Sequence, residues 1–264
     1  MPEFETVAYK LENNVAWVTL NRPEQRNAVN ATMREELIRI FHDAQTNSDI
    51  RALVLTGAGK GFCTGADLSG SRGQGPQGPG ATRLVMKGSS QRLIRALWEL
   101  EKPVVCAVNG VAAGLGAHLA FASDFVIAAQ EARFIEIFVR RGLAVDAGGA
   151  FLLPRLIGLQ RAKELVFFGD DLSAEDAHCW GLVNRVVPAD QLEATARSWA
   201  ERLARGPTIA LGFSKRLLNR SLDGDLETCL EEEGLAQAIV AQSEDLREGV
   251  QAFIERRDPV FKGR

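Results

Sequence analysis

Short apolar runs rich in β-branched residues alternate along the chain with longer segments of helical periodicity. The apolar runs predict strands at residues 15–20, 52–56, 104–108 and 124–128. Apolar side chains at helical spacing predict one helix over residues 30–46, with Asn30 as its N-cap, and another over residues 84–100, ended by Pro103. A further helix is predicted to start near Gly114. Strands that alternate with helices indicate an α/β layered core.

After about Val187 the chain becomes helical and more charged. Apolar residues there recur three, four or seven positions apart, as at Leu226 and Leu230 or at Leu246 and Val250. Such faces pack either on the chain's own core or on a partner subunit, and the pattern leaves both open. We therefore divide the chain into a core at residues 1–187 and a helical region at residues 188–264.

Composition excludes several classes of protein. The 264 residues are 46% hydrophobic and 25% charged, which is enough apolar material for a sizeable core. A net charge of −3 provides no basic excess for nucleic acid or for an anionic membrane. The four cysteines form no CxxC pair and the three histidines are isolated, so neither a disulfide framework nor a metal site is expected. The acidic start has no signal-peptide core, and residues 104–122 fit a strand, a glycine turn and a helix better than a membrane span. We therefore expect a cytoplasmic protein.

Two segments share the order of a buried strand, a glycine-containing turn and the start of a helix. They lead to Phe62-Cys-Thr-Gly-Ala-Asp-Leu68 and to Val111-Ala-Ala-Gly-Leu-Gly116. A helix start presents unpaired N–H groups, and two such groups that converge would stabilise a developing oxyanion. The glycines equally suit plain turns, so both interpretations stay open.

Other glycine-loop motifs do not fit. Phe62 stands where the GxGxxG dinucleotide motif needs glycine, and Lys60 is followed by Gly61 rather than by the Ser or Thr of a Walker A loop. No GxSxG nucleophile elbow occurs in the chain. A nucleotide-binding loop and an α/β-hydrolase are therefore disfavoured.

Further motifs connect these turns along nearly the whole chain. They are Leu20-Asn-Arg-Pro-Glu-Gln-Arg-Asn-Ala28, Gly61-Phe-Cys-Thr-Gly-Ala-Asp-Leu68, Val108-Asn-Gly-Val-Ala-Ala-Gly-Leu-Gly116, Asp124-Phe-Val-Ile-Ala128, Gly142-Leu-Ala-Val-Asp-Ala-Gly-Gly149 and Gly181-Leu-Val-Asn-Arg-Val186. In this order and spacing the chain resembles the enoyl-CoA hydratase/isomerase (crotonase) superfamily. The resemblance implies a spiral of ββα units, followed by a helical C-terminal region that closes the CoA pocket and forms homotrimers, which pair into hexamers.

The resemblance also implies an acyl-CoA substrate and the residues that bind it. The thioester oxygen would lie between the N–H groups of Ala66 and Leu115. Leu115 replaces the glycine usual in the family, so its side chain either narrows the pocket or packs outward. The CoA-binding residues implied are Arg26, Asn27, Ala28, Ala66, Asp67 and Leu68, with Phe261 and Lys262 reaching the CoA of a neighbouring subunit. Lys262 alternatively belongs to a frayed chain end. No cofactor beyond the CoA moiety of the substrate and no metal are expected.

The chain departs from the hydratase pattern at both catalytic glutamates. His118 and Phe138 occupy the positions where family hydratases carry these carboxylates, and Glu136 is two residues out of register. Ordinary hydratase chemistry is therefore not expected.

A carboxylate appears instead at Asp146, where isomerases of the family carry a catalytic aspartate. The resemblance is to the branch with phenylacetyl-CoA epoxide isomerases and Δ3,Δ2-enoyl-CoA isomerases. It implies that Asp146 moves a proton from C2 to C4 of a 3-enoyl-CoA, with an apolar wall from Phe138 and Val145 raising its pKa. Alternatively, Asp146 only caps the following helix.

Several alternatives remain at this stage. His118, with Gly114 in the same pocket, either contacts the substrate or a water molecule or is a satisfied core histidine. Residues 69–80, almost all Gly, Pro, Ser and Gln, predict a mobile loop that either gates the acyl pocket or is a plain insertion. The competing functions are an atypical enoyl-CoA hydratase, a CoA-thioester hydrolase and a non-catalytic acyl-CoA-binding scaffold.

Overall fold

A computed structural model describes residues 3–69, 80–221 and 223–264 of the chain. Within these ranges the strands are Val7–Glu12 (β1), Val15–Leu20 (β2), Ala52–Gly57 (β3), Val104–Val108 (β4), Val111–Ala113 (β5), Phe125–Ala129 (β6), Arg133–Ile135 (β7), Asp171–Ser173 (β8) and Arg185–Val187 (β9). The helices are Ala31–Thr46 (α1), Ala81–Gly88 (α2), Ser90–Trp98 (α3), Leu115–Phe121 (α4), Gly149–Ile157 (α5), Leu159–Phe168 (α6), Ala174–Trp180 (α7), Leu192–Ala204 (α8), Thr208–Arg220 (α9), Leu226–Val240 (α10) and Glu244–Glu255 (α11).

The strands form a six-stranded main sheet and a three-stranded small sheet. The main sheet has the order β1-β2-β3-β4-β6-β9, and only its β1–β2 pair is antiparallel. The small sheet has the order β5-β7-β8. The chain alternates between the two sheets, because β4 is followed by β5 and β6 by β7, and each pair leads toward helices. The predicted spiral of ββα units is therefore confirmed.

Apolar side chains cover both faces of the main sheet. Along β3, Leu53 and Leu55 belong to the larger core, whereas Val54 between them packs with Ala196 and Ala200 of α8 on the other face. Successive side chains of a strand point to opposite faces, so a parallel strand buried on both faces needs an unbroken apolar run. Burial on both faces explains why these strands could be predicted from unbroken apolar runs in the sequence.

Most predicted elements agree with the structure, with two exceptions. Residues 62–68, predicted to lead into the start of a helix, instead form isolated β-bridges at Cys63 and Ala66 and contain no helix. The helix predicted at residues 30–46 is α1, and the Asn30 side chain accepts a hydrogen bond from the N–H of Met33 at 2.8 Å, as its N-cap role requires. The single helix predicted at residues 84–100 is wrong: α2 and α3 are separated at Ser89, whose φ and ψ are −119° and −108°. Gly88, a poor helix former, precedes the break.

The loop predicted as mobile lies, except for Ser69 and Gly80, outside the described residues. No helix of the described ranges combines the length and the hydropathy needed to cross a bilayer.

The C-terminal region leaves apolar faces uncovered in the single chain. In α10 the only buried residue is Ala236, and in α11 Asp245 and Ala252 are buried. Large apolar side chains on these two helices are exposed: Leu226, Leu230, Leu235, Ile239, Leu246, Val250, Phe253 and Ile254. Faces of this kind mark surfaces that associate.

The chain end after α11 is tied to the rest of the molecule. Asp245 is buried, and its carboxylate accepts hydrogen bonds from the N–H groups of Lys262 at 2.6 Å and Gly263 at 2.8 Å. Arg51 donates to the carbonyl oxygen of Phe261 at 3.1 Å. The interpretation of Lys262 as part of a frayed end is therefore wrong, because the two carboxylate oxygens of Asp245 hold the backbone N–H groups of Lys262 and Gly263.

Candidate active site

The two glycine turns lie side by side. The N–H of Cys63 donates to the carbonyl of Val111 at 3.0 Å, and the N–H of Ala113 donates to the carbonyl of Cys63 at 2.9 Å. These bonds make a parallel bridge between Cys63 and Ala112. A Cβ built on Gly65 would stand 3.6 Å from the nitrogen of Leu115, so the turns stay adjacent beyond the bridge. Ala66 and Leu115 each follow the bridge by three residues.

Both turns leave one N–H group without an acceptor. Among the described residues, neither the Ala66 N–H nor the Leu115 N–H donates a backbone hydrogen bond outside its own element. Each follows a glycine with positive φ, +95° at Gly65 and +51° at Gly114. Residues with a side chain rarely adopt this conformation, and a Cβ at Gly65 would stand 2.8 Å from the carbonyl oxygen of Ala113. Two adjacent free donors are what an oxyanion site requires.

The side chains of the two donor residues face different surroundings. Leu115 is 5% exposed and belongs to the larger hydrophobic core, whereas Ala66 is exposed. Of the two alternatives for Leu115, the structure favours packing into the core over narrowing of the pocket. Because the Leu115 side chain is turned into the core, the backbone N–H of Leu115 remains available to a ligand.

The two segments predicted to bind CoA are neighbours. The N–H of Thr64 donates to the carbonyl of Arg26 at 3.2 Å. Arg22 connects the segments, because its Nη1 donates to the carbonyl oxygen of Ala28 at 2.5 Å and to Oδ2 of Asp67 at 2.9 Å. Hydrogen bonds from Ser69 and then from Arg22 lower the pKa of Asp67. The carboxylate of Asp67 is thus committed to holding the loop.

Asn27 has its side-chain amide fully occupied inside the protein. The residue is 0% exposed. Its Oδ1 accepts from the N–H of Arg22 at 2.9 Å, and its Nδ2 donates to the carbonyl oxygens of Ala58 and Gly61, both at 2.9 Å. Asn27 therefore shapes the loop, while the side chains of Arg26 and Leu68 are exposed beside it.

Phe261 and Lys262 lie far from these segments in the same chain. Arg51, which binds the carbonyl oxygen of Phe261, directly precedes β3. The segment that leads to Ala66 follows the other end of β3, roughly 17 Å away for a six-residue strand. Within one chain the tail and the amide turns are thus at opposite ends of the main sheet.

Asp146 lies in a loop with an unusual backbone. Ala147 has a φ of +46°, a left-handed conformation that is costly for a residue with a side chain. The N-cap of α5 is Gly148, with no side-chain cap, so the interpretation of Asp146 as a helix cap is wrong. Its carboxylate forms no hydrogen bond to any residue that the structure describes. Burial raises the pKa of Asp146, the direction expected from the sequence.

His118 and Glu136 form a buried pair beside this loop. Their side chains are 0% and 1% exposed, and Nε2 of His118 lies 3.0 and 3.1 Å from the two carboxylate oxygens. Nδ1 of His118 is buried without a partner among the described residues. The alternative of a satisfied core histidine is therefore confirmed only in part: His118 is buried and its Nε2 is hydrogen-bonded, but its Nδ1 has no partner among the described residues.

Phe138, Val145 and Gly149 shape the space around the imidazole. The Phe138 ring stacks on it with centroids 5.6 Å apart and an angle of 15°. A Cβ on Gly149 would lie 2.4 Å from Cε1 and Nε2 of His118 and 2.6 Å from Cγ2 of Val145. Phe138 also connects this group to the amide turns, because a Cβ on Gly114 would lie 3.4 Å from its Cζ. The two amide turns, the His118–Glu136 pair and the loop of Asp146 are thus contiguous.

The sequence reasoning missed Glu136 because it judged this residue only by the hydratase register. A different signal was available. Glu136 interrupts the apolar run Phe134-Ile-Glu-Ile-Phe138, and a carboxylate in such a run is buried only with a partner. That partner is on α4, 18 residues away in the chain.

Two other kinds of chemistry find little support in the described residues. No three His, Cys, Asp or Glu side chains there form a group that could hold a metal ion. Burial raises the pKa of the Cys63 thiol, next to the first amide turn, to about 12. Cys63 is therefore a neutral, buried side chain rather than a thiolate nucleophile.

Comparisons with known proteins agree over almost the whole chain. A family model described as enoyl-CoA hydratase/isomerase matches residues 10–264. The 1,2-epoxyphenylacetyl-CoA isomerase of Escherichia coli K12 is 43% identical over 261 residues, which cover 98% of this chain and 99% of that protein. A protein named "Probable enoyl-CoA hydratase" from Rhodobacter capsulatus is 42% identical over 261 residues, with 99% of each chain covered.

Solved structures give the same result for the fold. The crystal structure of an enoyl-CoA hydratase/isomerase from Cupriavidus metallidurans CH34 superposes with a TM-score of 0.93 at 36% identity, covering 100% of this chain and 98% of that one. An enoyl-CoA hydratase from Bacillus anthracis superposes with a TM-score of 0.91 at 35% identity, covering 98% and 100%.

Proposed function

Because the chain belongs to the enoyl-CoA hydratase/isomerase family, we propose that it is an isomerase that shifts the double bond of a 3-enoyl-CoA to the 2-position. The family and the fold expected from the sequence motifs are both confirmed. The names of the relatives include an isomerase and hydratases, so the reaction rests on the residues of the site.

One observation carries the proposal: the partly buried carboxylate of Asp146 has no hydrogen-bond partner among the described residues and has a raised pKa. A carboxylate that stabilised the fold would be hydrogen-bonded to the protein, as those of Asp67 and Asp245 are. A carboxylate with a raised pKa is a stronger base than an ordinary one, and without a partner it is free to accept a proton and give it back. The loop of Asp146 also borders His118, and Phe138, which stacks on His118, lies against the second amide turn at Gly114.

The proposed mechanism is a proton shuttle within the allylic system. Asp146 removes a proton from C2, and the electron pair of that C–H bond moves into the thioester to give a dienolate. The N–H groups of Ala66 and Leu115 hold its oxygen, a contribution of about 3–4 kcal/mol for each oxyanion donor. Protonated Asp146 then delivers the proton to C4, which leaves the conjugated 2-enoyl-CoA. The same carboxyl group acts as base and then as acid.

Water addition is disfavoured by the same residues. A hydratase of this family uses two carboxylates to activate water and to deliver a proton. Here Phe138 occupies one of the two positions and His118 the other. Glu136 is 1% exposed and bound to His118, so it is not free to activate a water molecule.

We further propose that the CoA moiety lies along residues 26–28 and 66–68, and that no other cofactor is needed. Arg26 places an exposed cation on this surface. Phe261 and Lys262 would then contact the CoA of a neighbouring subunit, since in their own chain they lie at the opposite end of the main sheet.

Such a contact requires an oligomer, which we propose to be a homotrimer or a dimer of trimers. The exposed apolar side chains of α10 and α11 support self-association. Light scattering coupled to size-exclusion chromatography measures the oligomeric mass, and a monomer across the concentration range would contradict this part of the proposal.

The test supplies the purified protein with a 3-enoyl-CoA and follows the ultraviolet absorbance of the conjugated product. Parallel reactions contain a 2-enoyl-CoA, to detect hydration as loss of that absorbance, and 1,2-epoxyphenylacetyl-CoA, the substrate in the name of the Escherichia coli relative. A thiol reagent reports free CoA from hydrolysis. We expect conjugation of the 3-enoyl-CoA as the fastest reaction. Faster hydration or faster CoA release would contradict the proposal.

A further inference from the structure

A buried His–Glu pair with no assigned role lies beside the loop of the proposed base. Nε2 of His118 is within 3.1 Å of both carboxylate oxygens of Glu136, and both side chains are essentially inaccessible to solvent. Buried ionisable side chains are expensive for a fold unless they are paired. A hydrophobic pair of similar volume would fill this place at lower cost, so the pair calls for a functional explanation.

The imidazole is held in one orientation by few contacts. The bond to Glu136 is its only side-chain hydrogen bond to a described residue, since Nδ1 has no partner. Phe138 stacks on one ring face, and Gly149 approaches so closely that even a methyl group there would collide with the ring. Glu136 is therefore the polar contact that sets the position of His118.

The imidazole of His118 borders the loop that carries Asp146. Gly149, whose Cβ position would collide with the imidazole and with Val145, donates its N–H to the carbonyl oxygen of Asp146 at 2.9 Å. The pair is therefore close enough to influence the Asp146 carboxyl group. Burial is the main influence and raises its pKa; the charge of His118 lowers it and that of Glu136 raises it. No other charged residue of the described ranges contributes to this pKa. The cation Arg140, from the 3₁₀ turn Val139–Arg141, is instead paired with Asp171 at 2.9 Å. The two residues of the pair thus act on the pKa of Asp146 in opposite directions.

We propose that His118 and Glu136 are a positioning pair for Asp146: His118 stabilises the Asp146 carboxylate, and Glu136 fixes the imidazole and offsets its charge. The inference rests on the proposed function, because it assigns Asp146 the role of the base. It adds that the pH range of the reaction is set by two buried residues on other elements, α4 and the segment after β7.

The proposed roles predict opposite effects for the two single substitutions and cancellation in the double variant. Glu136→Gln keeps a hydrogen-bonding side chain but removes the negative charge, so Asp146 should ionise at lower pH. His118→Gln leaves the negative charge of Glu136 unbalanced, so Asp146 should ionise at higher pH. With both substitutions the two charges are gone, and the ionisation should return toward that of the unsubstituted protein. Structural damage would add up in the double variant, whereas charge effects cancel.

The experiment measures kcat/KM for a 3-enoyl-CoA against pH, because the acid limb of this profile reports the ionisation of the base in the free enzyme. We expect the limb to move down by about one pH unit in Glu136→Gln and up by about one unit in His118→Gln, the size that a nearby charge produces. Glu131→Gln and His42→Gln are matched controls at exposed positions, and their profiles should not move.

A second readout does not depend on turnover. The carboxyl carbon of Asp146, labelled with carbon-13 and assigned by its loss in Asp146→Asn, is titrated by NMR in the same variants. Opposite shifts in the two single variants, with near-cancellation in the double variant, support the pair. Unmoved midpoints, or shifts in the same direction, overturn it. If the unsubstituted protein does not isomerise 3-enoyl-CoA, the proposed function fails, while the NMR titration still decides whether the pair acts on Asp146.

Discussion

The candidate site has two halves that are built in different ways. The half formed by residues 62–66 and 111–115 uses main-chain N–H groups, positioned by a parallel bridge and by glycines with positive φ. The half formed by Glu136, His118 and Asp146 uses side chains from three separate segments. The first half is a property of the backbone path. The second depends on which side chains happen to meet.

This difference explains how one fold supports several reactions. The N–H of residue 115 is present whether the residue is glycine or leucine, and here the leucine packs into the core. Main-chain donors therefore tolerate changes of sequence around them. In the other half, replacing two carboxylates by His118 and Phe138 changes the proton chemistry that is possible. The amide half is expected to bind the thioester, and the side-chain half to select the reaction.

The largest effect is expected from the side-chain half. Asp146→Asn should lower kcat for 3-enoyl-CoA isomerisation by about 10²–10⁴-fold, the range typical of general acid–base catalysis. The binding of a CoA thioester, measured by calorimetry, should remain because the amide half is intact. Asp190→Asn, at an exposed position, serves as control. An Asp146→Asn variant that turns over as fast as the unsubstituted protein would show that the base is elsewhere.

The amide half is tested by a glycine substitution. In Gly65→Ala the new Cβ would lie 2.8 Å from the carbonyl oxygen of Ala113, and φ is +95°, so the turn must shift and displace the N–H of Ala66. Loss of one oxyanion donor should lower kcat by about 10²–10³-fold. Gly61→Ala is the matched control, because a Cβ there meets nothing within 4 Å. Equal kcat values in the two variants would argue against this donor.

A smaller effect, on stability, is expected where the two halves meet. In Gly149→Ala the Cβ would collide with the imidazole of His118, which is boxed in by Phe138. Overpacking of this kind should lower the free energy of unfolding by about 1–3 kcal/mol. Gly234→Ala, in open space within α10, should instead leave stability unchanged or raise it. Urea unfolding compares the two, and equal midpoints would contradict the tight packing around His118.

The smallest effect concerns the pH dependence of stability. Because the folded protein raises the pKa of Asp146, the folded state holds this proton more tightly than the unfolded chain, and this contribution to stability is lost as pH rises through the folded pKa. Asp146→Asn removes the buried charge. We expect the variant to be the more stable protein at pH 7, with the difference shrinking below about pH 4, near the pKa of an unfolded aspartate.

Chemical denaturation at the two pH values measures this difference. A variant less stable at pH 7 than the unsubstituted protein would mean that Asp146 stabilises the fold. That result would weaken its assignment as a base, because functional carboxylates with raised pKa values are held against stability.

Most strands and the first helix could be predicted from the sequence because their signals are local. The apolar run of β4 and the cap at Asn30 depend on neighbours a few residues away. The break at Ser89 was missed, because the apolar periodicity of residues 84–100 continues through it. Helical periodicity reports which face is buried and says little about a single residue that leaves the helix.

The residues of the candidate site also divide into those with a local sequence signal and those without one. Ala66, Leu115 and Asp146 were placed by the resemblance of their motifs, since these motifs keep their order and spacing. Glu136 was not found, because its meaning depends on a partner 18 residues away on another element. The tail was judged by its position at the end of the chain, whereas its order comes from Asp245 and Arg51.

The family, the alternation of strands and helices and the two glycine turns could be predicted from the sequence alone. These features depend on apolar spacing and on backbone preferences, which neighbouring residues determine. Three features became visible only in the folded molecule: the amide turns are adjacent, Asp146 has no hydrogen-bond partner among the described residues and caps no helix, and Glu136 holds His118. These facts depend on contacts between distant segments, and packing alone determines which of them form.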